Sequence, residues 1–236
     1  MAKYSLHLAD TRGDANHGWL QSKHSFSFAE YYDAERMNFG ALRVLNDDQV
    51  APGMGFGRHP HSNMEIISIP LEGELAHTDS MGNSSVIKKG EIQVMSAGTG
   101  VEHSEYNQSE SKPVEFLQIW IIPDEQNVEP RYDQQKIDFD QAHNNFLQIL
   151  SPNADDGGVW IHQHAWIHWA DFTAGFSREY VWKDKKNGLY VFVIRGDVEV
   201  GGQKLQTRDG LAILGEEHVT IKADTKAEFI LIEVPV

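Results

Sequence analysis

The sequence contains no cysteine. This absence excludes disulfide bonds, thiolate-bound metals and cysteine nucleophiles. A metal ion in this protein must therefore be held by histidine, aspartate or glutamate side chains.

Basic residues and long apolar runs are also scarce. There are 20 Lys and Arg residues against 35 Asp and Glu residues, which gives a formal net charge of −15. Such a field repels phosphate backbones and anionic membrane surfaces, so nucleic acid is not expected as a partner. No stretch approaches the ~18 apolar residues of a membrane span. The start, MAKYSLHLADTRG, carries charge where a signal peptide needs an apolar segment. We therefore expect a cytoplasmic protein that makes no membrane contact.

Short apolar runs recur along the whole sequence. The chain has 236 residues, enough for one large or two compact domains. Its apolar runs are bounded by Gly, Asp, Asn and Pro, and they lie at 41–45, 66–71, 92–95, 116–122, 146–150, 190–194, 211–214 and 229–234. This density of short strands predicts an all-β barrel or sandwich, with a short helix expected only at 28–37.

The two halves of the chain resemble each other weakly. The stretch around Gly73 to Gly90 is similar to the stretch around Gly196 to Gly210, at an offset close to half the chain. Such self-similarity predicts duplicated β-domains. A polar stretch between them is the best linker candidate. We therefore expect an N-terminal domain at 1–123, a linker at 124–145 and a C-terminal domain at 146–236.

Two histidine segments have the spacing of metal ligands. His59 and His61 lie two apart, so on a strand they share one face with Cα atoms about 6.5–7 Å apart. His103 and Glu105 repeat this spacing after a glycine-rich turn. On facing strands the two pairs would form a site of three histidines and one carboxylate. Glu65 also lies an even number of residues from His61, and spacing alone does not choose between the two glutamates.

Two further segments are interpreted as structural. His162, His164 and His168 have no matching second pair in the C-terminal half, which favours a polar strand face without metal. In HSFSFAEYYD, the alternation of His24, Phe26 and Phe28 predicts a strand whose aromatic face packs in a core or a domain interface.

Several motifs resemble the cupins, and more closely the pirin family. Gly53, His59, His61, Glu65 and Gly73 are similar to the first cupin motif. The second motif is matched by the glycines before His103 and by Asn107, with Ser96 where proline is usual. The order HPH, LEGELAHTDSMGN, MSAGTGVEHSEYN resembles pirins, and within them the bacterial proteins assigned as quercetin 2,3-dioxygenases. HSFSFAEYYD, LRVLNDD and the C-terminal half are similar too, so the resemblance covers nearly the whole chain.

The resemblance implies a fold and a ligand set. The fold would be a bicupin, two double-stranded β-helix (jelly-roll) barrels face to face, with one divalent metal in the N-terminal barrel and none in the C-terminal one. The implied ligands are His59, His61, His103 and Glu105, which leaves Glu65 as a carboxylate behind the ligands or on the solvent side. Fe(II) is expected for dioxygen chemistry, while Mn, Co, Ni, Cu and Zn are chemically admissible.

The resemblance also implies a reaction. A flavonol such as quercetin would bind with O2, lose its hydroxyl proton to Glu105 or a metal-bound base, and open with release of carbon monoxide. Two alternatives stay open: a metal-dependent binding or redox-sensing module for a regulatory protein, and a small-molecule-binding cupin with a structural ion. Ser62, Asn63 and Met64 depart from the more basic segment of many pirins, which bears on the choice of substrate.

Overall fold

The computed structural model describes residues 2–236, and their regular secondary structure is almost entirely β-strand. The described part contains 22 strands and two 3-10 helices, Ala9–Thr11 and Phe139–Ala142, and no α-helix. The prediction of an all-β protein is confirmed. The helix expected at 28–37 is wrong, because the Ser27 hydroxyl both donates to the Asp33 carbonyl and accepts from the Asp33 N–H, which closes a loop instead. No described helix has the length and apolar character needed to cross a bilayer.

The chain forms two compact units, and the first is called the N-terminal barrel here. It comprises Gly13–Ile137 and Val159–Gln163. Its strands are β2 (Gly13–Asn16), β3 (Leu20–His24), β4 (Leu42–Val50), β5 (Gly55–His61), β6 (Glu65–Glu72), β7 (Glu74–Asp79), β8 (Ser84–Lys88), β9 (Glu91–Ser96), β10 (Val101–Asn107), β11 (Val114–Ile121), β12 (Arg131–Lys136) and β14 (Val159–Trp160).

Two antiparallel sheets build the N-terminal barrel. The large sheet has the order β12-β9-β6-β11-β4-β3-β2, and the small sheet has the order β5-β10-β7-β8. Leu75 and Ile87 of the small sheet belong to one buried cluster with Val114 and Phe116 of the large sheet. Because side chains alternate along each strand, apolar residues that face inward join the two sheets. The opposite face of β6 and β11 is apolar as well, and Ile67 and Leu117 on it are fully buried.

The second unit, the C-terminal barrel, comprises the segment that ends at Arg12 together with Asp138–Gly158 and His164–Val236. Its strands are β1 (Lys3–His7), β13 (Leu147–Ser151), β15 (Trp166–Phe172), β16 (Ser177–Val181), β17 (Asn187–Arg195), β18 (Val198–Val200), β19 (Gln203–Leu205), β20 (Gly210–Leu214), β21 (His218–Ala223) and β22 (Ala227–Pro235). The strands of its larger sheet follow the order β1-β20-β17-β22-β15-β13, and the smaller sheet is β16-β21-β18-β19.

The limits of the two units differ from the expected boundaries in three places. Val159–Gln163, within the expected C-terminal domain, belongs to the N-terminal barrel. Strand β1 pairs with β20, so the first residues belong to the C-terminal barrel. Within the expected linker, Arg131–Lys136 is a strand that pairs with β9. This segment is polar yet regular because its side chains find partners: Gln134 Nε2 donates to the Val86 carbonyl at 3.1 Å. Polarity therefore did not indicate a linker at this position.

Candidate metal centre

Strands β5 and β10 bring three of the expected ligands together. They pair antiparallel, with His103 opposite His59 and Val101 opposite His61. The ring centroids of His59, His61 and His103 lie 4.5–4.9 Å apart. One nitrogen from each ring falls within 4.8 Å of the other two. The spacing of two on each strand therefore converges three imidazoles on one point.

The hydrogen bonds of these rings fit a bound cation. His59 Nδ1 lies 2.7 Å from the Gly57 carbonyl, so it donates there and leaves Nε2 with a lone pair. The buried atoms His61 Nε2 and His103 Nδ1 have no hydrogen-bond partner among residues 2–236. Buried imidazole nitrogens without a partner are uncommon in folded proteins. The donor set, three nitrogens next to a carboxylate without thiolates, suits a divalent cation.

Burial keeps two of the three imidazoles neutral. It lowers the pKa of His61 to about 4, with a further contribution from the charge of His59. It lowers the pKa of His103 to about 2, with contributions from His59, His61 and His77. A neutral imidazole is the form that binds a metal. At neutral pH these rings are therefore ready to coordinate without losing a proton.

Glu105 lies beside this cluster and is held by the large sheet. The pairing of β10 with β5 shifts register between His103 and Glu105, a β-bulge. Ser68 Oγ and Gln118 Nε2 donate to its carboxylate at 3.0 and 2.8 Å. Burial raises the pKa of this carboxyl group. One carboxylate oxygen of Glu105 and one ring nitrogen each of His103 and His77 lie within 4.8 Å of one another. His103 therefore belongs both to this group and to the group of three histidines.

Sequence reasoning missed His77. This residue lies on β7 opposite Glu105, and its ring centroid is 5.3 Å from that of His103. His77 Nε2 is 3.2 Å from Asp79 Oδ2, and Asp79 also accepts from Asn83 Nδ2 at 2.8 Å. The signal was present in the sequence, since His77 and Asp79 repeat the spacing of two that places side chains on one face.

Glu65, the other glutamate that spacing allowed, lies in neither metal-ligand cluster. It is buried at the start of β6, where Ser96 Oγ donates to its carboxylate at 2.6 Å. Burial raises its pKa to about 7, opposed by the hydrogen bonds from Ser96 and from the His162 backbone. The expectation of a solvent-side residue is wrong for Glu65. Ser96, which replaces the usual proline of the motif, is its hydrogen-bond donor.

A cavity of about 410 Å³ opens beside the histidines. Its lining combines aromatic side chains with buried polar groups: Trp19, Phe28, Phe56, Trp120, Ser22, His24, Asn46, Asp48, His59, His61, Glu105 and Gln118 among them. The expected continuous strand through Phe28 is wrong, because β3 ends at His24. Phe26 is buried in the core as expected, whereas Phe28 lines the cavity and packs against Trp120 at 5.3 Å between ring centroids.

The third histidine segment does not form a polar strand face. His162 and His164 lie outside any strand. His168 lies in β15 and is 3% exposed, with Nδ1 3.3 Å from the Tyr180 hydroxyl. The same hydroxyl donates to Glu233 Oε2 at 2.8 Å. His168 is therefore part of a buried hydrogen-bond network in the C-terminal barrel, because its strand is covered on both faces.

Two β-barrels in one chain, one of which holds a histidine cluster, define the bicupin class of proteins. Comparison with known families places the chain within this class. The Pirin family model matches residues 6–121, and the model of the quercetinase C-terminal cupin domain matches residues 148–234. The chain belongs to the pirin family.

Relatives of known name and structure extend over the whole chain. A protein of Escherichia coli K12 named quercetin 2,3-dioxygenase is 45% identical over 231 residues, 98% of each chain. The crystal structure of YhhW from Escherichia coli superposes with a TM-score of 0.94 at 43% identity and covers 99% of both chains. A second structure of YhhW, in complex with nickel(II), gives 0.93 at 42% identity and the same coverage. The bicupin prediction is confirmed.

Proposed function

We propose that this protein is a metal-dependent dioxygenase that cleaves the heterocyclic ring of flavonols such as quercetin. The observation that carries the proposal is the convergence of His59, His61 and His103 beside a cavity that is lined by the first two of them and by aromatic side chains. Buried ring nitrogens of His61 and His103 have no hydrogen-bond partner within residues 2–236. Relatives named quercetin 2,3-dioxygenase at 45% and 44% identity support this choice of reaction.

The proposed ligands are His59, His61, His103 and Glu105. Three neutral imidazoles and one carboxylate leave a divalent ion with a net charge near +1, which favours an anionic oxygen from the substrate. Nickel(II) in the E. coli homologue supports a divalent ion, and we propose Fe(II) for the reaction with dioxygen. When bound, such an ion would act as a Lewis acid that favours the anionic form of the substrate oxygen for the reaction with O2.

The side chains around the ion have separate tasks. Glu105 takes up the proton of the substrate hydroxyl, while Ser68 and Gln118 fix the orientation of its carboxylate. Phe28 and Trp120 hold the flat aromatic substrate and exclude water from the reacting face. In the overall reaction a flavonol and O2 become an ester-linked carboxylic acid and carbon monoxide, which accounts for all atoms.

The size of the cavity supports a substrate of this class. Its volume of about 410 Å³ lies within the roughly 300–1,000 Å³ range of small-molecule sites. Its walls combine four large aromatic side chains with polar groups at defined positions. Such a lining suits a planar polyphenol better than a sugar or a charged peptide.

The test is turnover by the protein loaded anaerobically with Fe, Mn, Co, Ni or Cu in separate samples. Quercetin is added first and O2 second, and the expected result is loss of the flavonol absorbance with release of one carbon monoxide per flavonol. The variant His103→Ala serves as the control that lacks one proposed ligand. Absence of turnover with every metal would contradict the proposed function.

A further inference from the structure

A row of buried polar side chains crosses the large sheet of the N-terminal barrel. His24, Asn46, Gln118 and Ser68 occupy successive paired positions on β3, β4, β11 and β6. Paired side chains of adjacent strands have Cβ atoms about 4.5–5.5 Å apart. Ser68 and Gln118 donate to Glu105, so the row starts at the proposed metal centre. Asn46 lies one strand further from it.

Asp48 extends this polar surface along β4. It lies two residues from Asn46 on the same strand face, about 6.5–7 Å away, and pairs with Ser22. Asp48 and Asn46 both line the cavity, and their exposed fractions are 3% and 2%. Asp48 Oδ1 and Asn46 Oδ1 have no hydrogen-bond partner within the described chain. One wall of the cavity therefore carries two side chains that each have a buried oxygen without a partner.

Packing does not account for these two residues. Val44 and Val50 lie on the same inward face of β4, one on each side of them, and both are buried. The strand therefore accepts apolar side chains on this face. A buried polar atom without a partner destabilises the fold, and a carboxyl group does so strongly. Residues that are kept at such positions are expected to bind something that enters the cavity.

We propose that Asp48 and Asn46 bind a hydroxyl group of the substrate at a position separate from the oxygen that meets the metal. The inference rests on the proposed function and narrows its substrate class to flavonols that carry hydroxyl groups beyond the one at position 3. The substrate lies along this polar wall of the cavity, with the oxygen that meets the metal near Glu105 and a second hydroxyl at Asn46 and Asp48. Asp48 is thereby a specificity-determining residue.

The protonation of Asp48 suits this role. Burial raises its pKa to about 7, and the charges of Asp47 and Glu105 raise it further while the Ser22 hydrogen bond opposes the rise. A carboxyl group that keeps its proton offers both a donor and an acceptor. A phenol hydroxyl is also both, so the two groups can pair without leaving a charge buried.

The experiment compares two substrates with the metal-loaded protein. Quercetin carries additional hydroxyl groups, whereas 3-hydroxyflavone carries only the one at position 3. We expect Asp48→Leu to reduce the ratio of kcat/KM for quercetin to that for 3-hydroxyflavone by about tenfold or more, because a site built around a hydroxyl loses its discrimination without the partner. Asp48→Asn keeps a donor and an acceptor and is expected to hold the ratio within about threefold.

Asp47→Asn is the matched control, since Asp47 lies on the opposite face of β4 and does not line the cavity. Its ratio is expected to equal that of the unchanged protein. An unchanged ratio in a folded Asp48→Leu variant overturns this inference and leaves the dioxygenase proposal standing. Should that variant fail to fold, equal dissociation constants of the unchanged protein for the two flavonols overturn it instead. If neither quercetin nor 3-hydroxyflavone binds to the metal-loaded protein or is turned over, the proposed function is overturned as well.

Discussion

His59 and His103 lie directly opposite each other on β5 and β10, with their ring centroids 4.5 Å apart. Strand β10 also pairs with β7, so the His103 ring packs against His77 on its other side at 5.3 Å. His103 is therefore the central residue of the cluster, in contact with rings from both neighbouring strands. Its position makes the geometry of the site sensitive to small changes in β10.

Removing this imidazole is expected to abolish tight metal binding. His103→Ala deletes a proposed ligand, and the affinity for a divalent cation should fall by more than about 100-fold. Loss of a residue that only supports a ligand lowers the affinity by about 10–100-fold. Titration calorimetry and metal content by mass spectrometry measure the change. His143→Ala, a substitution of an exposed histidine in the C-terminal barrel, is the control. Equal metal affinity in the two variants would contradict the proposed site.

The amide of Gln118 is expected to stabilise the fold through Glu105. Gln118→Leu removes a donor at 2.8 Å from a buried carboxylate, and the free energy of unfolding should fall by about 1–3 kcal/mol. Urea denaturation of the metal-free protein gives this value. Gln49→Leu is the control: it removes a partly buried hydrogen bond of 3.0 Å from Gln49 Nε2 to Glu115. This variant is expected to lose less free energy of unfolding. A smaller loss of free energy of unfolding in Gln118→Leu than in Gln49→Leu would refute the stabilising role of Gln118.

The pH dependence of stability is expected to change in Asp48→Asn. The folded protein holds the Asp48 proton with a pKa of about 7, while the unfolded chain releases it near 3.8. The folded state binds more protons between these values, so the contribution of Asp48 to stability falls as the pH rises through this window. Relative to the unchanged protein, the variant should gain about 2–3 kcal/mol in free energy of unfolding between pH ~5 and pH ~8. Urea denaturation at both pH values is the measurement, and an equal gain in the control Asp155→Asn, a substitution of an exposed aspartate, would count against it.

Disruption of the network in the C-terminal barrel is expected to leave the metal content unchanged. Glu233 accepts from the Tyr180 hydroxyl, from the backbone N–H groups of Lys183 and Asp184, and from Asn187 Nδ2. Tyr180→Phe removes one of these donors and should lower the free energy of unfolding by about 1–2 kcal/mol. Denaturation and metal analysis of the same sample separate the two effects. Loss of bound metal in this variant would place a second ion near His168.

The strands of the core could be predicted from the sequence because their apolar runs are continuous. All eight predicted runs lie in or overlap strands, from β4 to β22. Polar strands were harder to recognise. The sequence of β12 predicts a linker because its side chains are amides, tyrosine and charged residues. Only the fold shows that Gln134 of this strand donates hydrogen bonds to Val86 and Glu91.

The candidate site divides in the same way. The spacing of two found His59, His61, His103 and Glu105, because local strand geometry alone places such pairs on one face. Asn46 and Asp48 follow the predicted apolar run at 41–45, and only the sheet register brings them to the cavity. The position of His24 in the cavity wall could not be predicted either, because it depends on β3 ending at this residue.

The carboxylate of Glu105 joins the two layers of the N-terminal barrel, since it comes from the small sheet and is held by Ser68 and Gln118 of the large one. All four proposed ligands belong to the small sheet, so a cation bound there would be tied to the large sheet only through the hydrogen bonds of Ser68 and Gln118 to Glu105. Whatever free energy couples these hydrogen bonds to the cation acts in both directions by thermodynamic linkage. Metal affinity is therefore expected to respond to substitutions in a layer that contributes no ligand.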